Sequence, residues 1–513
     1  MLMKKRVISI LVVMAMVLTL SVTPSFAVSK KNAPKLSASK VSLDIGVKKT
    51  IKLKNAKSKV KWSSSNEKVA VVTKKRGKRG SIITIKTKKH GTCKIVAESG
   101  GKKYKCTVKV SKVVIKPLSS SSVEKSGKYK YKKKLGTSGG KQFRVAVSDF
   151  SFDLLGKLAD KSNGSDRQNI LISPASILTA MVITENGARG KTLTEMQNTL
   201  SGGIDSKTFN GNIAGLNSRL CGSKSMIYQQ ANSLWIRKKS VKVKKSFLKK
   251  NKEYHNAKVY YAPFNSKTVK DINTWVFNNS RNMIDRIINR LDTADRMVIV
   301  NTTAFEGKWA EPFRDPQKEK FTSADGSVSR VNMLAASGYH RYIKLNGGKG
   351  FAKYYIGDDK NHSIAFVGIL PPEGTDVNDF AKGISGSDWI NAWNSSKSEN
   401  LVIKVPEFKY DYSASLGNPL AAMGMKTAFT PGADFSRMTS GPDRLQIDDV
   451  LHKTHIELDK NGTKAAAATA VVMKASSIMM DEPIEVYLNR PFVYALVDAK
   501  TGIPLFAGII YRP

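Results

Sequence analysis

Acidic side chains are scarce in this 513-residue sequence, with 40 Asp/Glu against 86 Lys/Arg and a formal net charge of +46. Any long-range attraction the chain exerts is therefore toward anions. Cysteine is rarer still, at three residues, so at most one disulfide can form. Beyond the first 27 residues no stretch is long and apolar enough to span a bilayer as a helix. No strand leads into a Gly-x-Ser-x-Gly elbow and no His-Glu-x-x-His pair occurs, so neither a serine-hydrolase nor a zinc-protease site is expected. No catalytic residue, metal site or cofactor is assigned. What remains is a length that implies two domains, one of them large, and a 41% hydrophobic content ample for real cores.

Residues 1–27 open on Lys4, Lys5 and Arg6, run apolar from Val7 to Leu20, and close on Ser25-Phe26-Ala27. This is the pattern of a secretory signal peptide cleaved after Ala27; the competing reading, a membrane anchor, meets an apolar stretch shorter than the ~20 residues a spanning helix needs. No cysteine follows that site, which leaves a bacterial lipid anchor unsupported. The protein is expected to be secreted and extracellular, with association to the cell surface a further expectation. Residues 28–142 hold 34 Lys/Arg against 4 Asp/Glu, a net of +30, while residues 143–513 carry only +13. Such a field favours anionic cell-wall or glycan polymers as partners of residues 28–142; a solvated lysine-rich surface is the competing reading. No nucleic-acid partner is expected.

Short alternating strands fill residues 35–110, as in Thr50-Ile51-Lys52-Leu53-Lys54, Val69-Ala70-Val71-Val72 and Ile82-Ile83-Thr84-Ile85, separated by Gly, Asn and Ser turns. The pattern predicts a small β-sandwich over 28–111. A hairpin turning at Ser99-Gly100 places Cys93 directly opposite Cys106, so a cross-strand disulfide is one reading and two reduced thiols the other. Residues 112–142, rich in Ser, Lys and Gly, read as a flexible basic linker. From residue 143 the pattern is that of a mixed α and β domain. A helix is expected from Asp271 through Ile287-Ile288, and strands at Leu401-Val402-Ile403-Lys404-Val405 and Phe492-Val493-Tyr494-Ala495-Leu496.

Two resemblances follow. The run Lys61-Trp62-Ser63-Ser64-Ser65-Asn66, then Val69-Ala70-Val71-Val72 and Gly91-Thr92, resembles bacterial immunoglobulin-like group 2 domains, which implies a spacer or adhesive module. Over 143–513, ordered stretches resemble the serpin family: Asn169 to Ile177, Gly187 to Thr192, Val300 to Trp309, Val405-Pro406-Glu407-Phe408, Met423-Gly424-Met425 leading to Ala433-Asp434-Phe435, His452-Lys453-Thr454, and Asn489-Arg490-Pro491-Phe492-Val493. That likeness implies an α+β serpin fold, with a large central β-sheet, helices and an exposed reactive loop. It also implies a monomer that is not an enzyme but an inhibitor of serine proteases, which are trapped covalently. Ser173, Ser176, Asn301 and His452 are carried over as the central gate of the sheet, and Trp309 as the point where the loop first enters. Ser173-Pro174 reads independently as a helix N-cap followed by proline.

The reactive-loop hinge falls on Gly462, Thr463, Ala465, Ala466, Ala467, Ala468 and Thr469. Taken alone, the alanine run would be a helix. A loop that threads between strands needs a permissive glycine, then small residues, then β-branched ones such as Val471 and Val472, and this stretch has that order. Family members usually carry glutamate where Lys460 and Lys464 stand, so charge at the base of the loop is reversed. Counting about fourteen residues on from Gly462 gives Ser476, and about eleven back from Pro491 gives Met480. The reactive bond thus falls among Ser476, Ser477, Ile478, Met479 and Met480, which suits elastase-like, chymotrypsin-like or subtilisin-like proteases. The competing function is a non-inhibitory serpin-fold surface or adhesion protein that binds anionic polymers through its basic module.

Overall fold

A computed structural model describes residues 33–43, 48–89, 91–110, 140–160, 167–221, 223–238, 242–255, 257–292, 295–358, 363–440, 445–463 and 482–513. The expected signal peptide and nearly all of the linker lie outside them. Residues 33–110 form two four-stranded sheets. One is built on Lys48–Lys54 and Ile82–Thr87, the other on Gly91–Ser99 and Lys102–Val110. Inward-facing Ile51, Leu53, Ile83, Ile85, Ile95, Ala97 and Val108 join Trp62 in one shared core, as the period-2 alternation of the strands requires.

The hairpin differs from expectation. Gly100 and Gly101 have φ of 59° and 71° and form the turn, because a two-residue turn of this hand needs positive φ at both central positions. Ser99 therefore pairs with Lys102, which sets Cys93 opposite Val108 and Cys106 opposite Ile95. The cysteines sit on a diagonal, roughly 7–8 Å apart between Cα atoms, too far for a bridge without backbone movement. Both are buried and free, with burial raising each thiol pKa.

Residues 140–513 assemble around two large sheets. A nine-stranded sheet runs from Ile484–Tyr487 at one edge, through Lys397–Pro406 and Phe492–Asp498, to Ile170–Ile172. The strands expected at 401–405 and 492–496 lie within it. A six-stranded sheet has the order Lys258–Ala262, Ile227–Arg237, Met297–Lys308, Gly462–Thr463, Val450–Asp459, Phe408–Ser415. Met297–Lys308, Val450–Asp459 and Gly462–Thr463 are labelled the gate strand, the loop-bearing strand and the hinge strand, after the roles the family resemblance leads one to expect of them. The gate strand is buried on both faces: Met297, Ile299 and Phe305 join the main core, while Val298 and Val300 pack with Trp275 and Ile272 of the helix Ser266–Asn279.

That helix stops well short of Ile287-Ile288. Arg281 and Asn282 adopt φ of 50° and 65°, which ends it, and Ile284 and Ile288 reach the same cluster from an irregular segment. The apolar spacing there reports burial and not helical period. Two motifs distant in sequence interlock: Arg189 N donates to Asp434 O at 2.9 Å, and Asp434 N to Thr192 Oγ1 at 2.9 Å.

Candidate functional site

The site is the seam between the gate and loop-bearing strands, which run parallel. They pair directly only at Ile299 with Val450 and Val300 with Leu451. At the far end the hinge strand lies between them: Gly462 pairs with Lys308 and Asp459, Thr463 with Gly307 and Leu458. Extending the register sets Asn301 level with His452 and Thr303 level with Thr454. The seam is thus apolar at one end, polar in its middle, and occupied by Gly462 and Thr463 at the other.

The polar middle is backed by the start of the helix Pro174–Glu185. Ser173 N donates to His452 Nε2 at 3.1 Å, while Ser173 Oγ turns away to Leu505 O at 2.8 Å. Ser173 holds the N-cap position, as expected, yet its side chain does not cap. Asn301 Nδ2 reaches Ser176 O at 3.1 Å, the Ser176 hydroxyl, and Asn232 Oδ1 at 2.7 Å. Thr454 Oγ1 donates to Leu171 O at 2.8 Å. Burial depresses the His452 pKa to about 3, so the ring is neutral at physiological pH. With Nε2 accepting, the ring proton belongs on Nδ1, and Nδ1, Asn301 Oδ1, Thr302 Oγ1 and Thr303 Oγ1 are buried without a hydrogen-bond partner among the described residues. Each unmade bond costs about 1–3 kcal/mol. These unmet bonds take stability from the middle of the sheet.

At the hinge end, Trp309 is buried and stacks on Tyr355 with ring centroids 4.2 Å apart. Trp309 Nε1 donates to Asp459 O at 2.9 Å and its backbone N to Asn461 O at 3.0 Å. The Asp459 carboxylate accepts from Asn461 N at 2.7 Å and Gly462 N at 3.1 Å, folding the turn that sends the chain back into the seam. Gly462 has φ of 155°, and a Cβ there would lie 2.1 Å from Gly307 O, so only glycine fits. Thr463 is buried, its hydroxyl 2.6 Å from Tyr355 OH. Burial raises the Tyr355 pKa far above its ordinary value, so the phenol stays protonated. Lys460, the reversed charge, pairs with Asp315, which raises its own pKa and lowers that of Asp315.

The structure therefore brings Ser173 to His452 and Ser176 to Asn301, and sets Trp309 apart with Gly462 and Thr463. Ala465, Ala466, Ala467, Ala468 and Thr469 of the hinge, Lys464, and the reactive-bond candidates Ser476, Ser477, Ile478, Met479 and Met480 lie outside the described residues. Sequence reasoning missed Asn232, Tyr355, Asp459 and Asp315. Asp459 carried a signal, an aspartate shortly before Asn-Gly that favours a side-chain-capped turn; Tyr355 carried none.

The family model described as serpin (serine protease inhibitor) matches residues 145–513. An uncharacterized serpin-like protein of Thermococcus kodakarensis is 30% identical over 382 residues, covering 72% of this chain and 85% of that protein. The crystal structure of a thermophilic serpin, tengpin, in its native state matches at 33% identity with a TM-score of 0.67, covering 73% of this chain and 95% of that one. Human thyroxine-binding globulin, at 23% identity and a TM-score of 0.64 over 72% of this chain and 98% of its own, shares the fold. With a family match spanning residues 145–513 and a relative 30% identical over 382 residues, the chain belongs to the serpin family.

Proposed function

We propose that this chain is an exported inhibitor that traps serine endopeptidases covalently and carries an immunoglobulin-like basic module. The observation that carries the reading is the hinge strand: Gly462 and Thr463 already occupy the top of a seam whose middle is under-bonded. A protease's serine attacks a peptide carbonyl within 476–480 and forms an acyl-enzyme, releasing the C-terminal side as an amine. The freed strand then extends the insertion that Gly462–Thr463 has begun. About fifteen residues, at a net 0.5–1.5 kcal/mol per new hydrogen bond, release on the order of 7–20 kcal/mol, enough to distort the bound protease and stop deacylation. Candidate residues 476–480 direct this toward elastase-like, chymotrypsin-like or subtilisin-like enzymes. The basic residues 28–142 would hold the inhibitor on anionic wall or glycan polymers.

The test mixes the purified protein with elastase, subtilisin and trypsin, followed by denaturing gels and intact mass. An SDS-stable complex with a released C-terminal peptide supports trapping, and the peptide mass fixes the reactive bond. Clean cleavage without a complex in every case would sink the proposal and favour the non-inhibitory surface reading.

A further inference from the structure

The anion-binding role of the N-terminal module resolves to one face. Strands Lys40–Leu43, Lys102–Val110, Gly91–Ser99 and Lys61–Ser64 form one sheet, in that order. Its outward positions include Lys40, Lys61, Lys94, Lys103, Lys105 and Lys109, all exposed, against a single acid, Glu98. Among the described residues none of these six lysines makes an ion pair. The register places them as a lattice: Lys61, Glu98 and Lys103 share one row, Lys94, Thr107 and Lys40 another, with Lys105 and Lys109 on the central strand between and beyond. Along that strand same-face residues stand about 7 Å apart, and neighbouring strands about 5 Å. The opposite sheet is partly engaged already, since Lys86 and Lys48 lie 3.1 and 3.8 Å from Asp285 of the larger domain.

The side chains present narrow the ligand. No arginine and no exposed aromatic stands on this face, so neither bidentate forks nor base stacking is offered. Lysine ammoniums are point charges that pair with singly charged oxyanions one at a time. We propose that the outward face of this sheet binds a linear phosphodiester polymer with one charge per repeat, of the wall teichoic type, laid along Lys103, Lys105 and Lys109. This rests on the anion-binding role proposed above for residues 28–142, and adds the face and the ligand class.

The test compares two full-length variants that lose equal charge. One carries Lys94→Gln, Lys103→Gln, Lys105→Gln and Lys109→Gln; the other carries Lys35→Gln, Lys52→Gln, Lys54→Gln and Arg76→Gln on the opposite sheet. Binding to immobilised poly(glycerol phosphate), and to heparin as the sulfated alternative, is measured between 0.05 and 0.3 M NaCl, a span of about sixfold in salt over which phosphate-contacting cations reveal themselves. The first variant should lose more than about tenfold in affinity for the phosphate polymer with a shallower salt slope, and the second less than about twofold. Equal losses in both would overturn the face assignment while leaving anion binding intact. A preference for heparin would overturn the ligand class. No binding by the unmodified protein at 0.15 M salt, where the screening length is about 8 Å, would overturn the anion-binding reading itself.

Discussion

Substituting Gly462 by alanine tests the hinge with one methyl group. Its Cβ would sit 2.1 Å from Gly307 O and 2.8 Å from Lys308 Cα, both backbone atoms that cannot rotate aside. The native chain can relieve this by withdrawing the hinge strand. That forfeits about two to four hydrogen bonds at a net 0.5–1.5 kcal/mol each and leaves the buried Tyr355 hydroxyl unpartnered at about 1–3 kcal/mol. The total is roughly 2–9 kcal/mol. On the proposed mechanism an inserted strand would have no such escape, because residue 462 would head it, so the strain would fall on insertion. If only about 1.4–2 kcal/mol of it reaches the transition state, insertion slows about 10- to 30-fold. In a trapping mechanism the excess of inhibition stoichiometry over one equals the ratio of hydrolysis to insertion, so it should rise by the same factor. The assay titrates residual protease activity against the variant and runs complexes on denaturing gels, with the rate of loop cleavage as the control. Unchanged stoichiometry at an unchanged cleavage rate would refute the account of the hinge.

Three further outcomes are expected. Thr463→Arg, which puts a guanidinium where a buried hydroxyl meets Tyr355, should convert inhibitor to substrate, with cleaved protein replacing complex on the gel. Buried His452 and His255, depressed to about 3, and His340, depressed to about 4, stay neutral in the fold while the unfolded chain protonates near 6.5. Stability is therefore full above pH 6.5 and falls as pH drops toward 4, by up to about 4 kcal/mol per unit for three sites. His452→Gln should remove about a third of that slope in urea titrations, and a flat profile from pH 7 to 4.5 would contradict it. Finally, all three cysteines should titrate as free thiols in denaturant, and a reductant should leave the melting temperature unchanged.

Ser173, Ser176, Asn301, His452 and Trp309 came from the chain only through its resemblance to a family, since no spacing or residue type singles them out. Gly462 could also be argued from the backbone, and a Cβ there would indeed meet Gly307 O. Tyr355 was invisible, since an aromatic in Tyr354-Tyr355-Ile356 reads as any strand residue, and its partner Thr463 lies 108 positions away. The reversed charge at Lys460 looked like a departure until Asp315, 145 positions earlier, answered it. The hairpin register turned on one step, Ser99-Gly100 against Gly100-Gly101, and that step moved two cysteines out of bonding distance. The helix expected through Ile288 failed because apolar spacing records which residues are buried and not how the backbone between them turns.

Among the described residues the hydroxyls of Thr302 and Thr303 have no hydrogen-bond partner, and valine there would leave no such bond unmet. A chain selected only for endurance would have made that exchange, and its sheet would resist heat and denaturant better. On the proposed mechanism it would also be slower to part. Such a protein sits below the most durable version of itself, and attempts to engineer a tougher variant by tightening this stretch should yield one that survives longer and works less well.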